Sequence, residues 1–139
     1  MKAYKGFNKD MTCRGFQFEE GKTYETEEAS LCTTGFHACE NPIDCFGYYP
    51  PGTSEYHEVE LEEVSGDVSG DSKRCGKKIK VGARIEIMDM VKATFEYVKE
   101  HCTNDKQGED YACLTGGNGS ALTGGYSSAL TGGNGSALQ

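Results

Sequence analysis

The sequence has no tryptophan, no charged side chain after Tyr111, and no apolar run near the ~18 residues of a membrane-crossing helix. The missing run excludes a membrane partner, and no secretory apolar core follows Met1-Lys2-Ala3-Tyr4, so the chain reads as cytoplasmic with reduced thiols. There is no C-x2-C pair, which removes a zinc knuckle. There is no Walker loop, no G-x-G-x-x-G and no G-x-S-x-G, so phosphate-cradle and nucleophile-elbow enzymes are excluded as well. A basic excess is also lacking. The formal net charge is −8, which repels nucleic-acid backbone.

That charge is uneven. Residues 1–70 carry five basic and fourteen acidic side chains, whereas residues 71–110 carry nine and eight. The one basic cluster is Lys73-Arg74-Cys75-Gly76-Lys77-Lys78-Ile79-Lys80. It reads as a solvated hairpin turn or as a local anion patch.

At 139 residues the chain supplies one domain and an appendage. The pattern predicts an α+β head over residues 1–102, a linker over 103–110 and a repeat tail over 111–139. Expected strands are Met1–Phe7, Cys13–Phe18 and Lys22–Tyr24 (a hairpin through Glu19-Glu20-Gly21), Gly35–Cys39, Tyr56–Val64 and Lys78–Ile87. Two helices are expected. Asn41-Pro42 opens a short one to about Tyr49, with Asn41 as its cap. Met88–His101 shows the helical period, with Met88, Val91, Phe95 and Val98 as the buried stripe. The tail repeats an octapeptide, LTGGNGSA, LTGGYSSA, LTGGNGSA, from Leu114 to Ala137. Fixed Leu and Ala positions with glycine turns suggest a short β-solenoid that gains from self-association, hence a homo-oligomer.

Chemistry concentrates between Thr33 and Tyr49. Cys32, His37, Cys39 and Cys45 are all metal-ligand types, but their spacing suits buried thiols better, so no metal and no cofactor are expected. A Cys39–His37 nucleophile pair has no third orienting group. Glu58, Glu60 and Glu62 read as a solvated strand face. Tyr4, Phe7, Phe16, Phe36, Tyr48 and Tyr49 fall close together in the expected topology. With Lys5, Arg14 and His37 they suit a flat ring or a nucleotide-like ligand.

The segments KAYKGF (2–7), CRGF (13–16), TGFHACENP (34–42), CFGYY (45–49), YHEVE (56–60) and KIKVG (78–82) resemble a family of uncharacterised phage and prophage domains followed by short Gly/Ser/Ala repeats. That resemblance implies the cytoplasm of a host cell as the working compartment. The order of a Y-K-G strand, G-F-H-A, N-P-x-D with an aromatic-rich helix, and an E-V-E strand also resembles the ADP-ribosyltransferase layout. There Lys5 stands at the family's early Arg or His, Phe36-His37 at its Ser or Tyr, and Glu58, Glu60 or Glu86 at its late Glu. The leading expectation is a non-enzymatic module sequestering a nucleotide or ADP-ribose-derived signal of host defence. Lys5, Phe7, Arg14, His37, Tyr48, Tyr49 and Glu58 are its candidate binding residues. A divergent transferase and a structural cap for a β-solenoid are the alternatives.

Overall fold

In the computed structural model, the described residues are 1–101 together with the backbone of four short strands farther on. They belong to two units, residues 1–94 and 95–139.

The first unit is mainly antiparallel β. Its strands are β1 (Lys2–Asn8), β2 (Thr12–Cys13), β3 (Phe16–Gln17), β4 (Thr23–Glu25), β5 (Phe36–Cys39), β6 (Ser54–Val64) and β7 (Lys73–Arg84). The main sheet runs β4-β7-β5-β1-β6, and β6 returns to pair with β7, so the sheet closes on itself as a small barrel. β1 is central, flanked by β5 at Tyr4↔Cys39 and by β6 along its whole length. Being enclosed on both faces, β1 buries Ala3 to Phe7 without a break. One side of the sheet packs Ala3, Phe7, Phe18, Ala38, Val59, Leu61, Ile79 and Val81. The other gathers Tyr4, Cys39, Cys45, Tyr56 and Met90.

Several sequence expectations are corrected. The hairpin is β2–β3, turning at Arg14-Gly15, and β4 pairs with β7 instead of with β3. Alternation from Cys13 to Phe18 could not reveal this, because strands of two residues are too short to show a period. The basic run Lys73–Lys80 is strand, not turn, since β5 and β6 claim opposite edges of β7 at Gly76. Ile87, expected on a strand, begins the helix α1 (Ile87–His101). On that helix Met90 and Val98 are buried, while Met88 and Phe95, expected inward, are exposed. The expected helix after Asn41 is 3-10, Pro42–Gly47, with Pro42 in its first turn. Asn41 makes no side-chain cap. Its backbone N–H donates to Ser72 Oγ and its side-chain amide is buried without a partner.

The second unit contains the C-terminal part of α1, where Tyr97 and His101 stack at 4.0 Å. Beyond it lie β8 (Cys113–Thr115), β9 (Ala121–Leu122), β10 (Ala129–Thr131) and β11 (Ala137–Leu138). β10 pairs in parallel with β8 and β11 with β9, in the registers Leu130↔Leu114 and Leu138↔Leu122. The linker expected at 103–110 and the remainder of the tail lie outside the described residues. No described helix is long and apolar enough to cross a membrane.

Candidate functional site

A half-open cavity of about 100 Å³ lies against β1 and β5. Its walls come from the β2–β3 turn, the loop before β5, the 3-10 helix and the start of β7. Lys5, Arg14, His37, Tyr48 and Tyr49 line it with Tyr4, Gly6, Cys13, Cys32 and Lys73. The sequence singled out the first five as site residues. Lys73 belongs to the basic run read as a hairpin turn or an anion patch and Cys32 to the metal-ligand types, whereas Cys13 carried no site signal.

Two expected residues lie elsewhere. Phe7 is fully buried on the barrel side, where its ring meets Phe18 and His57. It supports the site indirectly, since the Lys5 ammonium lies 5.7 Å from its centroid. Glu58 pairs with Lys2 at 3.1 Å on the exposed face of β6 and does not line the cavity. The remaining aromatics of the expected platform, Phe16 and Phe36, pack with Phe18 instead.

The central feature is Lys5. Its residue is only 7% exposed, yet its Nζ donates to a single neutral partner, the His37 carbonyl, at 2.7 Å. Lys2, Lys22, Arg74, Lys78, Arg84, Lys92 and Lys99 all meet carboxylates. Among the described residues, no carboxylate stands within ion-pair distance of Lys5, Arg14 or Lys73, and none lines the cavity. Among the described residues, the other lysines without a carboxylate, Lys9, Lys77 and Lys80, lie outside the lining. A buried ammonium without a counter-ion costs several kcal/mol by the general rule for buried charge, so this arrangement opposes stability.

The loop before β5 is held by His37. The Cys32 N–H donates to His37 Nε2 at 2.9 Å, which leaves the ring proton on Nδ1. Burial and the charges of Lys5, Lys73 and Arg14 push the His37 pKa below its ordinary value, so the ring stays neutral. The Lys73 ammonium sits 3.2 Å from Cys32 Sγ and 4.7 Å from the Tyr48 ring centre. Burial opposes its charge, but Cys32 and Tyr48 more than offset this and raise its pKa. The Tyr48 hydroxyl donates to Asp71, which raises the tyrosine's pKa. Burial and Cys13 push Tyr49 up to about 12, and its hydroxyl donates to Cys13 Sγ at 3.0 Å. Both tyrosines are therefore uncharged at neutral pH, and the fixed charge on the lining is cationic.

Backbone conformation also concentrates here. Arg14 and Cys32 take positive φ values of 50° and 67°. Arg14-Gly15 forms the two-residue turn of β2–β3, both residues at positive φ, where asparagine and glycine are the easy choices. Arginine there is held at some conformational cost, and its side chain faces the cavity.

Cys39 and Cys45, read from the sequence as buried thiols, are both buried. Cys39 hydrogen-bonds Cys45, which with burial raises the Cys39 pKa, and Cys45 Sγ donates to the Tyr4 carbonyl at 3.3 Å. Among the described residues no three His, Cys, Asp or Glu side chains converge. The imagined Cys39–His37 nucleophile also fails. His37 Nε2 is taken by the Cys32 amide, and Cys39 is a buried thiol.

A family model described as Domain of unknown function (DUF7666) matches residues 1–93. No curated protein and no solved structure matches the chain.

Proposed function

The chain belongs to the DUF7666 family, and from that premise we propose that its first unit is a non-enzymatic binding module for a small anionic, nucleotide-like ligand. The observation that carries the reading is Lys5, an ammonium buried in a cavity wall without a carboxylate. Arg14, exposed, and Lys73, half-buried, on the same lining also have no carboxylate within ion-pair distance among the described residues. In a chain of net charge −8, a concentration of unpaired cations in one cavity calls for an anion from outside. Tyr48 and Tyr49 supply flat walls beside it. We place the module in the sequestration of a nucleotide-derived defence signal by a phage-encoded protein. Among the described residues no carboxylate lines the cavity to act on a ribose, which favours holding a ligand over transferring ADP-ribose.

Calorimetric titration of the full chain with NAD, ADP-ribose, AMP and cyclic nucleotides tests this. Binding of at least one is expected, and silence across the panel overturns it.

For the tail we propose a solenoid in which two octapeptides make one coil. The support is the register of β8 with β10 and of β9 with β11, each offset by sixteen residues, twice the repeat. Parallel pairs of two- and three-residue strands cannot stand alone, so we also propose that the tail joins copies of the chain.

A further inference from the structure

We infer that the cavity seats a terminal phosphate, a phosphomonoester carrying two charges, while the remainder of any nucleotide lies outside it. This rests on the binding reading above and names the ligand class for the same site.

Size is the first argument. About 100 Å³ is well below the roughly 300–1,000 Å³ of pockets that enclose a whole small molecule. The cavity accepts a compact group.

Charge is the second. Lys5, Arg14 and Lys73 bring three cations without a carboxylate among the lining residues. A phosphomonoester carries about −1.5 to −2 near neutral pH and three acceptor oxygens. A cyclic or diester phosphate carries a single charge and has fewer free oxygens.

Donor supply is the third. An ammonium has three N–H donors and a guanidinium five. Lys5 directs one to the His37 carbonyl and Lys73 one to Cys32 Sγ, and no hydrogen bond engages the Arg14 side chain among the described residues. The surplus donors suit three oxygens better than a ring.

The aromatic walls agree. Lys73 covers one face of Tyr48, and Tyr49 lies so close to Gly6 that a Cβ there would approach its Cβ to 2.6 Å. Both rings are partly occupied at the cavity, so a base is left to its rim.

The test is calorimetry on the full chain with AMP, ribose 5-phosphate, inorganic phosphate, 3′,5′-cyclic AMP and adenosine. AMP is expected to bind at least about tenfold more tightly than cyclic AMP or adenosine, the scale of one lost charge-assisted contact. In Arg14→Gln and Lys73→Met, both at exposed or rim positions, that preference should collapse while the far-UV circular dichroism is unchanged. Equal affinity for AMP and cyclic AMP overturns the monoester seat and leaves the nucleotide reading standing. Phosphate and ribose 5-phosphate binding as tightly as AMP keep the seat and remove the nucleotide from the reading. Binding by none overturns both, and a preference unaffected by either substitution overturns the placement in this cavity.

Discussion

His37 acts as a latch more than as a ligand. Its Nε2 accepts from the Cys32 amide, which fixes the loop that carries Cys32 to the side of Lys73. Its pKa is lowered by burial and by Lys5, Lys73 and Arg14. The unfolded chain therefore takes up a proton near the ordinary histidine value of about 6.5, while the folded protein does not. Because the unfolded state binds more protons there, stability contributed by the neutral ring is present above that value and is lost as pH falls below it. The urea midpoint should drop between about pH 7.5 and 5.5, and His37→Gln should show a smaller drop. An identical drop in both proteins would remove His37 from the account. The sequence made His37 visible by its setting in G-F-H-A. Its partner could not be read, because the contact depends on a Cys32 backbone at positive φ.

At the scale of elements, the long strands were legible and the short ones were not. β1, β6 and α1 announce themselves through apolar spacing over seven or more residues. Only the later part of β7 is legible in the sequence, because its opening residues are basic. They are strand since β5 and β6 both need partners there. The outward faces of Met88 and Phe95 were missed for a related reason, as Met90 had the stronger claim on the space beside Tyr4 and Tyr56. A close fit between elements lies where β1 meets the residues after the 3-10 helix, at Gly6 and Tyr49. The Tyr56 hydroxyl fixes the Tyr49 carbonyl, so the tyrosine has little freedom to retreat. Gly6→Ala should cost about 1–3 kcal/mol by overpacking, read as a lower urea midpoint. It should also weaken ligand binding, because Tyr49 is a cavity wall. A variant with unchanged stability would mean that the contact is slack.

For the whole molecule, the barrel is the proposed ligand site and the repeat tail the proposed joining element. The barrel supplies a cavity whose cations have no carboxylate partner within the described residues. The tail supplies an eight-residue repeat whose strands pair at twice that spacing. Removing residues 111–139 should lower the mass seen by light scattering and leave the affinity of the head for AMP unchanged. An unchanged mass would rule out the tail as the joining element. The repeat was plain in the sequence because it is written as identity. The cavity was legible only in part, because aromatics and histidine stood out whereas the missing counter-ions did not. An absent carboxylate becomes visible only once the strands have placed the acidic side chains of the described residues.

The most direct measurement is urea unfolding of the wild-type chain and of Lys5→Met, each with and without AMP. If the buried Lys5 ammonium serves the proposed anion and not the fold, replacing it by an apolar side chain of similar length should leave the free protein as stable or stabilise it by about 1 kcal/mol. Wild type should gain stability on adding AMP, since a ligand that binds only the folded state raises the unfolding free energy, and Lys5→Met should gain none. If Lys5→Met is destabilised without ligand and still responds to AMP as wild type does, Lys5 is a structural residue and the anion site is contradicted.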